Sequence, residues 1–143
     1  MKLFNKLSIT SLLLSLFVLA PAVSAEVVVI TNPSNSASLS ESDVKRIFLG
    51  KMKSFPGGGT ILSVNQSAGS DVRKTFDKVA LGKSPSQMKA YWSKLVFSGK
   101  GNPPKELAND AEVIKLVAEN PAVIGYIDAA NKTNEVKVVA SYK

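Results

Sequence analysis

Cysteine and histidine are both absent from this chain of 143 residues. Without cysteine there can be no disulfide, no thiolate chemistry and no lipid attachment of the bacterial lipoprotein type. Without histidine the chain lacks the usual general base and the commonest metal ligand. The carboxylates are scattered, in helix-capping positions or beside lysines, rather than paired for acid–base catalysis. We therefore predict no catalytic residue, no metal site, no cofactor and no enzymatic activity.

The amino-terminal segment is basic at first and then apolar. Lys2 and Lys6 precede an apolar run over about residues 9–22, which is shorter than the roughly 20 residues that cross a bilayer. Small residues follow before the expected cleavage point. This pattern predicts a cleavable signal peptide over residues 1–25, a periplasmic protein that begins at Glu26, and no stable membrane anchor after cleavage.

The remaining segment, residues 26–143, has 118 residues, enough for one domain with its own apolar core. The whole chain carries 18 basic and 11 acidic residues, and losing Lys2 and Lys6 lowers the net charge from +7 to +5. A moderate positive charge is compatible with an anionic ligand but does not select one. Nucleic-acid binders concentrate basic residues more strongly, so we expect no nucleic-acid partner.

Strand and helix patterns alternate along the predicted domain. Val27–Ile30, for example, is a continuous β-branched run, typical of a strand that is covered on both faces. The alternation predicts one α/β layer sandwich with a mostly parallel sheet of about four strands and about four helices. The predicted strands are 27–30, 60–64, 123–127 and 136–139, and the predicted helices are 41–49, 71–81, 85–97 and 109–120.

Ser40, Ser84 and Asn109 stand at predicted helix starts, where their side chains can cap the first turn. Apolar residues then recur at helical spacing behind each of them. The clearest series predicts that one face of the third helix packs in the core. That series is Met88, Tyr91, Trp92, Leu95 and Val96.

A turn of small residues leads from the second strand into the second helix, in the stretch SVNQSAGSDVRKTF. A helix N-terminus has unpaired amides and a partial positive charge, which makes it a possible seat for an anion. Ser67 and Ser70 can donate hydroxyl hydrogen bonds, Gly69 permits a close approach, and Arg73 can make a forked contact. Alternatively, Ser70 only caps the helix and Arg73 points into solvent. Spacing alone favours this second interpretation.

Four segments, in this order, resemble the phosphate-binding proteins of ABC transporters, and the resemblance covers nearly all of the predicted domain. They are LSESDVKRIFLG at 39–50, GTILSV at 59–64, GSDVRKTF at 69–76 and AVIGYI at 122–127. A further stretch, AYWSKLVFSGKGNPP at 90–104, resembles the small, single-lobe members of that family. The resemblance implies a single-lobe, periplasmic-binding-protein type 2-like, three-layer sandwich.

The resemblance also implies site residues, since the family holds phosphate with a Ser-Gly-Thr-Arg motif at a helix N-terminus. Ser70 and Arg73 match that serine and arginine, whereas Asp71 replaces the glycine and Val72 replaces the threonine. Asp71 places a negative charge beside the bound anion, and Val72 cannot donate a side-chain hydrogen bond. The predicted anion site is therefore Ser67, Gly69, Ser70, Asp71 and Arg73.

The prediction is a periplasmic solute-binding-like protein that binds phosphate or a related oxyanion weakly and is linked to phosphate uptake. Larger relatives close two lobes around their ligand, whereas about 118 residues build about one lobe. A second copy, an envelope protein or a transporter would then complete the site. The alternative is a ligand-free accessory or interaction module of the cell envelope with the same fold.

Overall fold

The structure, a computed structural model, describes residues 25–143. The predicted signal peptide lies, apart from Ala25, outside the described residues. No helix within the described range is long and apolar enough to cross a bilayer. The strands are β1 (Val27–Thr31), β2 (Leu62–Gln66), β3 (Lys105–Leu107), β4 (Val123–Asp128) and β5 (Lys137–Tyr142). The helices are α1 (Glu41–Phe48), α2 (Asp71–Val79), α3 (Pro85–Phe97) and α4 (Asp110–Glu119), with a 3₁₀ turn (Ala129–Asn131) after β4.

The five strands form one sheet in the order β3–β2–β4–β1–β5. β2 pairs in parallel with β3 and with β4, whereas β1 pairs antiparallel with both β4 and β5. Within residues 25–143, four strands therefore run in one direction and β1 runs in the other. The predicted α/β fold is confirmed. The sheet is mixed, with two parallel and two antiparallel pairings, and β3 is a fifth strand that the sequence pattern does not predict.

Two apolar clusters lie on opposite faces of this sheet. Val27 and Val29 pack in the cluster covered by α1, α2 and α3, whereas Val28 and Ile30 pack in the cluster covered by α4. None of these four side chains is more than 4% exposed. Successive strand side chains point to opposite faces, so a continuous apolar run is buried on both faces. The result is the predicted three-layer sandwich.

The predicted capping residues begin their helices. The Ser40 hydroxyl accepts a hydrogen bond from the Asp43 amide at 3.1 Å, and the Asp43 carboxylate accepts one from the Ser40 amide at 3.0 Å. Ser84 and Gln87 form the same reciprocal pair at the start of α3. Asn109 caps α4 through its side-chain oxygen. These local bonds fix where α1, α3 and α4 begin.

β2 begins two residues later than the sequence pattern predicts. Thr60 forms an isolated antiparallel bridge with Ser54, and the Ile61 amide donates to the Lys53 carbonyl at 3.0 Å. Thr60 and Ile61, the β-branched residues before Leu62, therefore pair back across the turn at Gly57–Gly59 instead of joining the sheet. β2 also ends two residues later than predicted, at Gln66, directly before the turn that begins at Ser67.

The apolar face of α3 is buried over only part of its length. Met88 is 1% exposed and Trp92 is 6% exposed, as predicted. Val96, which is predicted on the same face, is 50% exposed, and the adjacent Phe97 is 95% exposed. The prediction of a core position for Val96 is wrong because a cavity, described below, opens beside the last turn of α3.

Candidate functional site

The carboxyl ends of three neighbouring parallel strands meet at one edge of the sheet. β2 ends at Gln66, β3 ends at Leu107 and β4 ends at Asp128. The turn over residues 67–70 leads from β2 into α2, and Asn109 begins α4 shortly after β3. Two helix N-termini therefore lie at the edge where open α/β sheets place their ligands.

The turn over residues 67–70 is fixed against the end of β3. Ser67 donates its amide to the Leu107 carbonyl oxygen at 3.0 Å, and its hydroxyl lies 3.4 Å from the same oxygen. The Ser70 amide donates to the Ser67 carbonyl oxygen at 2.9 Å. The hydroxyl contact is near the upper limit for a hydrogen bond. The Ser67 hydroxyl is therefore only weakly engaged within the fold.

Ser70 is the N-cap of α2. Its hydroxyl oxygen accepts a hydrogen bond from the Arg73 amide at 3.2 Å, and the hydroxyl donates to Gln66 Oε1 at 3.3 Å. The neighbouring Gly69 has an ordinary φ, and a Cβ atom added to it would meet nothing within 4 Å. The fold itself does not require glycine at this position.

Arg73 does not point into solvent, because its guanidinium is held by three groups of the chain. Its side chain is 11% exposed. The first terminal nitrogen donates to the Gln66 carbonyl oxygen at 2.9 Å and to Glu106 Oε1 at 2.6 Å. Arg73 Nε lies 3.5 Å from Asp77 Oδ2. The interpretation that sends Arg73 into solvent is therefore wrong, although the guanidinium lies beside the predicted turn.

Asp71 and Val72 are the first two residues of α2. The Asp71 side chain is exposed, whereas Val72 packs against the apolar cluster. Within residues 25–143, the amides of these two residues have no hydrogen-bond acceptor. They carry the unpaired donors and partial positive charge that a helix presents at its N-terminus.

Two carboxylates of this site are absent from the predicted set of residues. Asp77 follows Arg73 by four positions, a spacing that places both on one helix face and supplies a sequence signal. Glu106 reaches Arg73 only because β3 pairs with β2, and β3 has too few residues to show a strand pattern. Burial raises the pKa of Asp77, and Arg73 only partly opposes this rise. Nowhere in residues 25–143 do such side chains gather as three or more potential metal ligands.

The Asp110 carboxylate lies at the edge of the sheet between α2 and α4, where it accepts hydrogen bonds from other segments of the chain. It accepts hydrogen bonds from Gln66 Nε2 at 2.5 Å, from Asn131 Nδ2 at 2.8 Å and from the Asp128 amide at 3.1 Å. Gln66 is only 2% exposed, so its side-chain amide must find partners inside the protein. From the sequence Asp110 is only an acidic first-turn residue, and this role is missed.

Ser70 and Arg73 face different cavities, although they are three positions apart. Ser70 lines a cavity of about 620 Å³ between α2 and α4. Arg73 lines a cavity of about 710 Å³ between α2 and α3. The structure therefore gathers Ser67, Gly69 and Ser70 in the turn, while it directs the Arg73 side chain toward α3.

Several solved structures are similar to this chain, although no family model and no curated protein sequence match it. A protein from Clostridium perfringens, described as a phosphate ABC transporter substrate-binding protein with bound phosphate, is 20% identical with a TM-score of 0.63. An ABC-type phosphate transport receptor from Vibrio cholerae is 17% identical with a TM-score of 0.62. PstS from Borrelia burgdorferi is 16% identical with a TM-score of 0.60.

These similarities show that the chain has a phosphate-binding-protein-like fold of the single-lobe kind. The matches cover 80%, 80% and 81% of this chain but only 45%, 46% and 47% of the solved chains. The chain thus spans about half the length of the structures that it matches. The first two are described as a substrate-binding protein and a receptor of phosphate transport, respectively.

Proposed function

We propose that this chain is a periplasmic solute-binding-like protein that binds phosphate or a related oxyanion weakly at the N-terminus of α2. The observation that carries the proposal is the position of Arg73, whose guanidinium the Gln66 carbonyl holds beside the turn into α2. The unpaired amides of Asp71 and Val72 add donors at the same helix end. The fold likeness to a protein described with bound phosphate supports this choice of ligand class.

Glu106 is the group that an oxyanion must displace. Its Oε1 lies 2.6 Å from the Arg73 guanidinium, and its side chain is 54% exposed. Because Glu106 is the exposed partner of this pair, an anion from solution can reach the Arg73 guanidinium and compete with this carboxylate. Displacement would leave Arg73 in place, because its bond to the Gln66 carbonyl is independent of Glu106.

Two features make the proposed binding weak. The Asp71 carboxylate lies in the first turn of α2, where it repels an anion and already uses the favourable helix end. The chain also spans about half the length of its structural neighbours. A second copy, an envelope protein or a transporter would supply the remaining contacts to the ligand.

The proposed setting is the periplasm and the proposed role is in phosphate uptake. The basic and then apolar pattern of residues 1–25 supports export. The structural neighbours from Clostridium perfringens and Vibrio cholerae are described as parts of phosphate transport systems. Intact-mass measurement of the periplasmic protein tests the first point, because it should begin at Glu26.

Calorimetric titration with phosphate, with sulfate as the comparison, tests the proposed site. Glu106→Gln should strengthen binding by up to about fivefold, because it removes a competitor of modest strength. Removing Arg73 alone would leave the buried Asp77 carboxylate without its cation. Arg73→Ala is therefore made in an Asp77→Asn background, where it should weaken binding at least about tenfold.

Lys74→Ala is the matched control, because Lys74 is an exposed cation next to Arg73 in the sequence. It should change phosphate affinity by less than about twofold, since an exposed charge is well screened. If Lys74→Ala and Arg73→Ala in the Asp77→Asn background weaken phosphate binding equally, the binding depends on the overall positive charge of the surface and not on Arg73. Absence of any phosphate or sulfate binding by the wild-type protein would overturn the proposal.

A further inference from the structure

The solvent face of α3 presents an aromatic side chain at its centre. Phe97 is 95% exposed, the most exposed of the large apolar side chains within residues 25–143. It follows the buried Met88 by nine positions, or two and a half helical turns, so the two side chains lie on opposite sides of α3. Val96 beside it is half-exposed. The packing of α3 in the core therefore directs Phe97 away from the protein.

Lysines surround Phe97, and no acidic residue lies among them. Lys94 and Lys89 precede it by three and eight positions, so they lie on either side of it along the helix surface. Lys100 follows in the loop after α3, and all three lysines are exposed. Residues 78–105 include six lysines but no aspartate, glutamate or arginine. Within residues 25–143 none of these lysines forms an ion pair, so their charge is available to a partner.

The helix on the other face of the sheet has the opposite charge. α4 has three acidic residues and one lysine, a net charge of −2. α3 has two lysines and no acidic residue, a net charge of +2. The two helices cover opposite faces of the sheet. A negatively charged surface would therefore attract the protein by α3 and repel it by α4, which selects one orientation.

We propose that the basic face of α3, formed by Lys89, Lys94, Phe97 and Lys100, docks the protein reversibly on an anionic lipid bilayer. The lysine ammonium groups contact lipid phosphates, and Phe97 enters the headgroup layer. The composition favours lipid over protein, because protein interfaces are enriched in arginine and depleted in lysine. The contact does not depend on the proposed phosphate site, which uses none of these four side chains.

Sedimentation with vesicles of two compositions tests the charge of the docking surface. The exported protein should bind vesicles of equal parts phosphatidylglycerol and phosphatidylcholine at least about tenfold more tightly than vesicles of phosphatidylcholine alone. Salt at about 0.5 M should remove this difference, because it screens the charges. Equal binding to both kinds of vesicle at low salt, or no binding to either, would overturn the proposal.

Two variants of the basic face test its position. Lys89→Gln combined with Lys94→Gln should weaken binding to the anionic vesicles at least about tenfold. Phe97→Ala should weaken it roughly fivefold, because an apolar side chain no longer enters the headgroup layer.

Lys115→Gln combined with Lys132→Gln is the matched control, because it removes the same charge from exposed positions outside α3. It should weaken binding to the anionic vesicles by less than about threefold, since these lysines lie away from the contact. Equal losses for the two lysine pairs would overturn the placement of the contact on α3.

Phe97→Trp reports the contact directly. Its new indole should be quenched by brominated phosphatidylglycerol, whereas the wild-type fluorescence should change little, because Trp92 is the single tryptophan and is buried. Absence of quenching in bound Phe97→Trp would overturn the proposal.

Two competitors separate the bilayer from other anionic partners. Inorganic phosphate at matched ionic strength should not release the protein from the vesicles, and release would assign the contact to the proposed phosphate site. Binding to poly-L-glutamate without binding to the anionic vesicles would assign the basic face to an acidic protein. Either result would overturn the proposal.

Discussion

The rings of Phe76 and Tyr126 stack with their centroids 3.9 Å apart and 9° between their planes. Phe76 belongs to α2 and Tyr126 belongs to β4, so this contact holds α2 against the sheet. The Tyr126 hydroxyl extends the link, because it donates to Asn65 Oδ1 and accepts from the Gln66 amide. One side chain thereby connects the position of α2 with the end of the strand that leads into it.

Tyr126→Phe should lower the free energy of unfolding by about 1–2 kcal/mol, because buried partners lose a hydrogen bond. Tyr142→Phe is the control, since the Tyr142 hydroxyl is buried and has no partner within residues 25–143. Its removal should leave the free energy of unfolding unchanged or raise it. Urea denaturation of both variants provides the measurement. Equal losses for the two tyrosines would contradict the role given to the Tyr126 hydroxyl.

Asp77 should make the folded protein less stable as the pH rises. Burial raises the pKa of Asp77 above its ordinary value of 3.8, and Arg73 only partly opposes the rise. The folded state therefore binds this proton more tightly than the unfolded state does. The stabilisation is fully present below the unfolded pKa and is lost as the pH rises through the folded pKa.

Asp77→Asn should remove this decline of the free energy of unfolding with rising pH. Urea denaturation between about pH 3 and pH 7 measures the decline. Asp43 also titrates differently in the folded state, because a hydrogen bond from the Ser40 backbone lowers its pKa. Its contribution is the same in wild type and variant, so the difference between their free energies of unfolding at each pH reports Asp77 alone. Glu119→Gln should behave as the wild type, because Glu119 is exposed. A decline of wild-type size in Asp77→Asn would show that Asp77 does not cause it.

Gly125 is required where α4 packs closest to the sheet. A Cβ atom on Gly125 would lie 2.6 Å from Val113 Cγ1 and 3.0 Å from Val64 Cγ2. Gly125→Ala should therefore lower the free energy of unfolding by about 1–3 kcal/mol, as overpacking does. Gly69→Ala should change it by at most about 0.5 kcal/mol, because an added Cβ there meets open space. Thermal or urea unfolding that ranks the two variants in the reverse order would contradict this account.

Asp71→Gly combined with Val72→Thr should strengthen phosphate binding about tenfold. The first change removes a repulsion of about 1–4 kcal/mol for charges ~4 Å apart, and the second adds a hydroxyl donor. Calorimetric titration measures the affinity, and Glu119→Gln should leave it unchanged. Equal or weaker binding, with the fold intact by circular dichroism, would contradict the repulsion. A sulfate titration then shows whether Asp71 instead selects a protonated phosphate.

The sequence predicts this fold well where local signals and tertiary packing agree. Val27–Ile30 is apolar at every position because both faces are covered, and Ser40 and Ser84 begin helices by bonds to their own first turns. β3 is missed because Lys105–Leu107 joins the sheet through backbone pairing with β2, which its side chains do not reveal. Val96 is misplaced because helical spacing alone does not show which turns a neighbour covers.

The sequence predicts only some of the contacts that the residues of the proposed site make. Ser70 caps α2, as its spacing from Arg73 indicates. The partners of Arg73 could be found only in part, since Asp77 is one helical turn away whereas Glu106 is 33 positions away. Asp110 is missed for the same reason, because its donors come from three separate segments of the chain.

β1 lies between the last two strands of the described chain. Val27 pairs with Asp128 on one side and with Tyr142 on the other, so both partners are about 100 residues away. Contacts of such long range must close large loops before they stabilise anything, and this slows folding. β1 therefore gains its first partner only when synthesis has reached β4, and its second only when synthesis has reached the residues around Tyr142.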